Sequence, residues 1–268
     1  MKKTLVYHLY VGDDMETNIV YNIHKECLKV YQHLFDNIRV VIAMDDLSNK
    51  KLKNLGIQWV NEIFDGQEME ITYTKNTEYR DAKTFYDKVL NNFEDEKVFF
   101  IHSKGTTNFK NPNVKNSSVF YWICAMYFLN LSEYVDTMDV FLNGTYTFSG
   151  PLYMRKGYNT PIDHKPFYAG TAYWINLYGL HNLEKTNTVP ILKCSDRYFA
   201  ERFPGRIFNE DVEYGITYTN NIIIEDANFY DFDKNEWGYI SELYNCREYF
   251  NKFIEYISNK VGYIPYSE

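Results

Sequence analysis

The sequence predicts an α/β fold in which a mostly parallel sheet is covered by helices on its faces. Strand-like and helix-like segments alternate through roughly the first hundred residues, which is the pattern of such a sheet. The strand-like segments are continuous apolar runs, and strands that are buried on both faces of a parallel sheet have this character. Each of these runs also ends on polar residues, which indicates that one edge of the sheet carries the chemistry.

Four strands are predicted in the first part of the chain, because each is a short run rich in β-branched and aromatic residues. They are Thr4–Tyr10, Ile38–Met44, Met69–Thr74 and Lys97–His102. Apolar residues at helical spacing lie between them. The predicted helices cover residues 17–35, 47–64 and 78–93, and Gly56 weakens the second.

The second half of the chain has a different pattern. One long helix is predicted over residues 117–142, followed by two aromatic, strand-like segments, "TYTFSGPLYMR" and "PFYAGTAYWINL". A short helix with Ser195 as its N-cap stops at Pro204-Gly205, "IIIE" reads as a strand, and residues 239–261 form one amphipathic helix. We expect a single domain with a nucleotide-binding half (1–110), an acceptor and catalytic half (111–235) and a C-terminal helix (236–268).

Composition excludes several classes of protein. The formal net charge is −8, whereas a general nucleic-acid binder needs a basic face, so we expect no nucleic-acid partner. The four cysteines are widely spaced without a metal-binding pattern, and Cys27 and Cys124 read as buried thiols. The most apolar run, Val119–Leu129, is about half the length of a membrane span, and the N-terminus lacks a signal-peptide core. A cytoplasmic location is expected, in a host cell if the protein is viral.

Polar clusters follow the four predicted strands at their carboxyl ends. They are His8 with Tyr10, Asp45 with Asp46, Thr74–Asn76, and His102–Gly105. Ligands of open α/β sheets bind outside the carboxyl ends of the strands, so these clusters should converge on one crevice.

Several common nucleotide-binding and hydrolase motifs are missing from the sequence. There is no GxGxxG after the first strand, no GxxxxGK[ST], no GxSxG and no HExxH. The crevice instead combines carboxylates, imidazoles and a lysine. A nucleotide sugar suits this mixture, because its base and ribose need hydrogen-bond acceptors and its diphosphate needs positive charge or a divalent metal.

Four segments in order carry a family resemblance: "VFFIHSKGTTNF", "YWICAMYFL", "FYAGTAYWIN" and "DRYFAERFPGRIF". The set resembles glycosyltransferases of the GT-A fold, a Rossmann-like fold, from bacteria and large DNA viruses. The resemblance spans roughly residues 6–208. It implies transfer of a sugar from a nucleotide sugar, with a UDP-sugar favoured, to a hydroxyl of a glycan or another acceptor.

The sequence departs from the family pattern at three places. Ser103 stands where the family usually has Thr, and the segment Ala169–Asn176 lacks the family's Asn and one Trp. The place of the Asp-x-Asp metal motif is held by His102-Ser103-Lys104. Use of Mn²⁺ or Mg²⁺ therefore stays open, as does the choice between inversion and retention at the anomeric carbon.

The resemblance implies a role for each candidate residue. His8 and Tyr10 would line the crevice. Asp45 and Asp46 would lie near the base or ribose, or one of them would help to hold a metal. The nucleotide would meet Arg80 and Lys83. The diphosphate would meet the backbone of Gly105 and, directly or through a metal, His102 and Lys104, and His102 is also assigned as a catalytic residue. The sugar or acceptor would contact Tyr168, Gly170, Thr171 and Trp174. From the second half, Asp196, Arg197 and Glu201 would line the cleft, and Glu201 or Asp196 would act as the catalytic base of an inverting reaction.

Most of these residues also have a purely structural interpretation. Asp45-Asp46 could cap the second helix, His102 could be a satisfied histidine at a strand end, and Trp174 could belong to the core. Arg80, Asp196 and Glu201 could be ordinary surface or helix-start residues. At the level of the whole chain, the alternatives are a non-catalytic carbohydrate-binding protein on the same fold and a two-metal nucleotidyltransferase, which would need a close acidic pair from adjacent strands.

Overall fold

The computed structural model describes the parts of the chain from which the sheet and its helical layers are built. The described residues are 1–76, 81–92, 95–103, 105–106, 116–143, 146–151, 153–154, 167–168, 170–186, 200, 203, 217–218, 229, 232–263 and 265.

Nine strands lie in these residues. They are β1 (Lys2–Tyr10), β2 (Asn37–Met44), β3 (Met69–Lys75), β4 (Glu96–His102), β5 (Phe148–Ser149), β6 (Tyr153–Met154), β7 (Phe167–Tyr168), β8 (Tyr173–Asn176) and β9 (Thr217–Tyr218). Seven form one sheet in the order β3-β2-β1-β4-β8-β5-β9, and β6 pairs separately with β7. The first four strands, predicted from apolar runs, are all present within two residues of the predicted bounds.

The helices of the described residues connect and cover these strands. They are α1 (Ile19–Tyr31, extended by a 3₁₀ turn at Gln32–Leu34), α2 (Lys50–Ile63), α3 (Asp81–Phe85, continued by a π-helical turn at Tyr86–Leu90), α4 (Asn116–Leu131), α5 (Asp136–Asn143), α6 (Leu177–Thr186), α7 (Lys234–Leu243) and α8 (Arg247–Val261).

Strand direction confirms the predicted α/β class. β1, β2, β3 and β4 run parallel, whereas β8 is antiparallel to β4. The chain builds outward from β1 through β2 to β3, and then returns to place β4 on the other side of β1. The carboxyl ends of β1 and β4 therefore form the topological switch point, the place where α/β sheets of this kind bind ligands.

Each face of the sheet is buried under its own layer. One face carries residues such as Tyr7, Phe99 and Trp174 and lies in the larger core cluster, which includes side chains of α1, α2, α4, α5, α7 and α8. The other face carries Val6, Phe100 and Tyr173 and packs with Phe85 of α3 and Leu180 of α6. Burial on both faces explains the continuous apolar runs of β1, β2 and β4, whereas the terminal strand β3 is half-buried to exposed along its length.

Two predicted helices are each divided in the structure. The helix expected over residues 117–142 is α4 and α5, separated at Ser132–Val135, where the Ser132 hydroxyl accepts a hydrogen bond from the Tyr134 amide at 3.2 Å. The helix expected over 239–261 is the end of α7 followed by α8. Asn245 lies between them in the left-handed region, with φ of 54°. Side chains that bond to nearby backbone groups compete with helix continuation.

The predictions at Ser195, Pro204-Gly205 and "IIIE" lie outside the described residues. Cys27 and Cys124 are buried free thiols, as expected. Among the described residues, no helix is long and apolar enough to cross a membrane.

Trp174 lies in the core and cannot serve as a sugar platform, so its assignment to the substrate site is wrong. Its side chain is fully buried, its ring centroid is 5.3 Å from that of Phe99, and its Nε1–H donates to the Asn130 carbonyl at 3.1 Å. The cause is the antiparallel pairing of β8 with β4, which sets Trp174 opposite Phe99 on the larger core face.

Truncation of this side chain should be strongly destabilising. We expect Trp174→Ala to lower the free energy of unfolding by about 3–5 kcal/mol, because it leaves a large cavity in the core. Chemical denaturation checks this, with Tyr178→Ala as the control, since the Tyr178 side chain is 52% exposed. Similar losses from the two variants would contradict the buried position of Trp174.

Candidate functional site

Ser103 fixes the switch point by joining the ends of β1 and β4. Its amide donates to the His8 carbonyl at 2.9 Å, and its hydroxyl oxygen accepts from the Tyr10 amide at 2.9 Å. The buried side chain therefore bonds to backbone, which accounts for a hydroxyl residue at this position. A threonine hydroxyl can accept the same bond, so the Ser-for-Thr departure is chemically conservative.

Asp45 is an exposed carboxylate that is held by side chains from two neighbouring strand ends. Its Oδ2 accepts a hydrogen bond from the Tyr10 hydroxyl at 3.0 Å, and its Oδ1 accepts one from Asn76 Nδ2 at 2.8 Å. Burial, followed by the hydrogen bond to Asp45, raises the pKa of Tyr10 to about 12, so the phenol stays a donor at neutral pH. The expected convergence of the β1, β2 and β3 ends is thus confirmed at Asp45.

Asp46 has a local role that differs from that of Asp45. Its Oδ1 accepts from the Ser48 amide at 2.8 Å and from the Ser48 hydroxyl at 2.7 Å, and these bonds lower the pKa of the Asp46 carboxyl. The cap of α2 is Asn49, whose side chain accepts from the Leu52 amide at 3.1 Å. The alternative that Asp45-Asp46 caps this helix is therefore wrong.

The first turn of α3 places two polar side chains against the two histidines of the switch point. His8 and His102 are opposite each other in the β1–β4 register. His8 Nδ1 is 2.7 Å from Thr84 Oγ1, and His102 Nδ1 is 3.4 Å from Asp81 Oδ2. Sequence reasoning missed Asp81 and Thr84. The available signal was their i, i+3 spacing at the start of a helix, which puts both on one helix face.

The two histidines differ in their surroundings. His8 is buried, and burial lowers its pKa to about 4, an effect that the nearby Asp81 opposes and His102 reinforces. His8 is therefore neutral at neutral pH and lies beneath α3, so its assignment to the open substrate surface is corrected to a supporting position. The side chain of His102 is 19% exposed and lies beside the buried carboxylate of Asp81. The placement of His102 at the crevice agrees with its predicted position.

Asn18 ties the loop after β1 to the loop after β4. Its side-chain oxygen caps α1 by accepting from the Val20 amide at 3.1 Å. Its Nδ2 donates to Asp14 Oδ2 at 3.0 Å and to the Thr106 carbonyl at 2.9 Å. Asn18 was not predicted as part of the site, and a buried N-cap asparagine before the first helix was the only signal for it.

Gly105 has a structural requirement of its own. Its φ is +86°, and a Cβ there would lie 2.6 Å from Val119 Cγ1 in α4. Glycine is thus needed both for the left-handed backbone and for the close approach of the loop to α4. Contact of its backbone with a phosphate stays a prediction.

Gly170 and Thr171 form the turn before β8 and are buried. Both have positive φ, of 84° and 53°, and a Cβ at Gly170 would lie 2.6 Å from Met126 Sδ. Direct contact of these two residues with a sugar is not supported, because the turn packs against α4. Trp122 and Met126 of α4 are buried core residues.

The structure describes only some of the remaining predicted site residues. Lys83 is on α3, half exposed, and its Nζ is 2.6 Å from Asp87 Oδ2, so it pairs along its own helix. Tyr168 lies in β7, and its side chain is outside the described part of the chain. Arg80, Lys104, Asp196, Arg197 and Glu201 also lie outside the described residues, and their roles stay predictions.

A metal site is not formed by the described residues. No group of three or more His, Cys, Asp or Glu side chains there could hold a metal ion. The exposed carboxylates at the crevice, Asp45 and Asp46, accept hydrogen bonds from Tyr10, Asn76 and Ser48. A carboxylate that accepts such bonds keeps further lone pairs, and the use of Mn²⁺ or Mg²⁺ stays a prediction.

Burial of a neutral histidine should make stability depend on pH. Between pH 6.5, the ordinary pKa, and about pH 4, the unfolded chain binds a proton at His8 that the folded chain does not. Stability should therefore fall as the pH drops through this window, by at most about 3 kcal/mol from this group. Urea unfolding of His8→Gln should show a shallower decrease, whereas the same substitution at the exposed His33 should leave the decrease as it is.

Alanine substitutions at the two turn glycines Gly105 and Gly66 distinguish the cost of backbone strain from the cost of a packing clash. Both have positive φ, of +86° and +74°, but a Cβ at Gly66 would meet nothing within 4 Å. We expect Gly66→Ala to cost about 1–2 kcal/mol from the left-handed backbone alone, and Gly105→Ala to cost about 1–3 kcal/mol more from the clash with Val119. Equal losses in thermal or chemical unfolding would contradict the close packing at Gly105.

Comparison with known proteins adds a distant structural likeness. No family model matches the sequence, and no curated protein matches it. The structure is similar to that of 4-diphosphocytidyl-2C-methyl-D-erythritol synthase from Anaerococcus prevotii, with a TM-score of 0.35 and 10% identity, over 93% of this chain and 99% of that one. A likeness of this degree carries no argument about family or activity, so the functional conclusion depends on the geometry of the crevice.

Proposed function

We propose that the protein is a glycosyltransferase that moves a sugar from a nucleotide sugar, with a UDP-sugar favoured, to a hydroxyl of a glycan or another acceptor. The observation that carries the proposal is the fixed, exposed carboxylate of Asp45 beside the switch point of a parallel α/β sheet. In sheets of this kind the ligand crevice lies at this point.

Asp45 has the chemistry to recognise the nucleoside part of the donor. A base and a ribose present N–H and O–H donors, and an ionised carboxylate accepts strong hydrogen bonds from them. Tyr10 and Asn76 hold both oxygens before a ligand arrives. Little orientational freedom is then lost on binding, which favours affinity.

The residues that follow β4 have side chains suited to binding the diphosphate of the donor. In the sequence, Lys104 follows His102 and Ser103 directly, and Ser103 is locked to the end of β1 by two hydrogen bonds. A positive charge placed here would stabilise the nucleoside diphosphate as negative charge develops on it during departure. No step in this account requires a metal ion.

The sugar acceptor and the stereochemistry belong to the same proposal. In an inverting reaction, Glu201 or Asp196 would remove the proton of the acceptor hydroxyl as its oxygen attacks the anomeric carbon and the diphosphate leaves. A retaining reaction needs no such base. The anomeric configuration of the product, followed by NMR, distinguishes the two.

Donor binding tests the proposal directly. We expect one of a panel of UDP- and GDP-sugars to raise the melting temperature, because a ligand that binds only the folded chain stabilises it. Asp45→Asn should weaken that binding about tenfold or more, because it replaces an ionised acceptor. Asp46→Asn should weaken it less, since Asp46 closes a local turn with Ser48, whereas Asp45 is held between the ends of β1 and β3.

Substitutions at the end of β4 give the second arm of this test. Lys104→Ala and His102→Ala should each lower donor affinity, measured by calorimetry, without unfolding the free protein. His102→Ala should also lower the melting temperature, because it removes a neighbour of the buried carboxylate of Asp81. Lys252→Ala on α8, away from the crevice, is the control for loss of one positive charge. The proposal fails if no nucleotide sugar binds, with or without Mn²⁺. Glycan binding without donor binding or turnover would instead favour the non-catalytic carbohydrate-binding protein.

A further inference from the structure

The terminal strand β3 is a long edge of the sheet. It pairs with β2 in an unbroken parallel register from Met69 opposite Ile38 to Lys75 opposite Met44. Its seven residues contain neither proline nor a bulge. At the other end of the sheet, by contrast, β9 covers two residues of the described chain.

The backbone of β3 presents hydrogen-bonding groups to its outer side. The Asn76 amide donates to the Met44 carbonyl at 2.7 Å, so the backbone at residue 76 faces β2. Backbone groups alternate along a strand in a parallel ladder, so those of Ile71 and Tyr73 face away from β2. Within the described parts of the chain, no group bonds to the outward amide and carbonyl of these two residues.

The edge is also accessible, and β3 itself carries few charged residues. Tyr73 is 40% exposed, although the ammonium of Lys53 on α2 lies over one face of its ring, 5.3 Å from the centroid. Glu70 is the only acidic residue of the strand, and it is engaged by Arg39 at 3.6 Å and Lys88 at 2.8 Å. The only lysine of the strand, Lys75, is its last residue. Proteins usually protect long edges with lysines, prolines, bulges or short strands, because an open edge pairs with another chain.

We propose that β3 pairs antiparallel with β3 of a second copy of this chain, about a twofold axis at Thr72, and so joins two sheets into one. Thr72 is the middle residue of the strand, so this register aligns both strands over their full length. Ile71 lies opposite the partner's Tyr73, and Met69 opposite the partner's Lys75. The backbone N–H and C=O groups of all four residues point away from β2. In an antiparallel ladder, two such residues that lie opposite each other form two hydrogen bonds, one donated by each residue.

The side chains of β3 complement themselves in this register. Each Ile71 meets an aromatic ring from the partner's Tyr73, and aromatic against β-branched pairs stabilise antiparallel strands. Thr72 meets its own copy, and Glu70 meets the partner's Thr74, so no like charges are directly opposed. Because every pair recurs by the twofold axis, the contact is closed and ends at a dimer. For this reason, a second copy of this chain is the partner that we propose for β3.

Charge substitutions on the axis test the proposal together with its register. We expect the wild type to be a dimer at micromolar concentration by size exclusion with light scattering. Thr72→Lys and Thr72→Glu should each be monomeric, because like charges then face each other across the axis. An equimolar mixture of the two variants should recover the dimer, because opposite charges meet. Asn251→Lys on α8 adds the same charge at an exposed position elsewhere and should stay dimeric.

A measurement on the wild type alone covers the case in which the Thr72 variants do not fold. Hydrogen–deuterium exchange at the Ile71 and Tyr73 amides should be slow at high protein concentration and become faster on dilution. A wild type that is monomeric without concentration-dependent protection of β3 would overturn the proposal. A dimer that persists in both folded Thr72 variants, or an assembly larger than a dimer, would also overturn it.

Discussion

The structure depends on the parallel pairing of β1 with both β2 and β4. This pairing places β1 at the centre of the four parallel strands and brings the ends of all four to one edge. Ser103 secures the junction with one bond to the backbone on either side of Leu9. The crevice, the two histidines and the Asp45 carboxylate all take their positions from this arrangement, because each is attached to the end of one of these strands.

The side chains at the strand ends form two groups, here called the exposed level and the buried level. Tyr10, Asp45 and Asn76 form an exposed level in which both oxygens of a carboxylate are held by neighbours. His8 and Thr84 form a buried level under α3. The buried level connects β1 to α3, and the exposed level is the part that we propose binds a ligand. The π-helical continuation of α3 fits this division, because such turns are frequent at functional sites.

Sequence reasoning located the parallel strands and the polar residues that follow them, because a strand buried on both faces has a continuous apolar run. It missed the breaks at Ser132–Val135 and Asn245, because neither the local bond of the Ser132 hydroxyl nor the left-handed backbone at Asn245 leaves a mark on hydrophobic periodicity. It also misjudged Trp174 and Gly170. An aromatic or a glycine suits a ligand site and a core equally, and only the packing of β8 against β4 and of the turn against α4 distinguishes them.

By itself, the sequence determined that this is an α/β protein whose polar residues gather at the carboxyl ends of its strands. Both properties follow from local patterns of residues. Only the tertiary structure decided which of those residues meet: Asp45 with Tyr10 and Asn76, and Asp81 with His102. The partners are far apart in the chain, and their contact depends on the lateral order of the strands and on the position of α3 against the ends of β1 and β4. The same order leaves β3 at the outside of the seven-stranded sheet, which is the edge at which we propose pairing with a second copy.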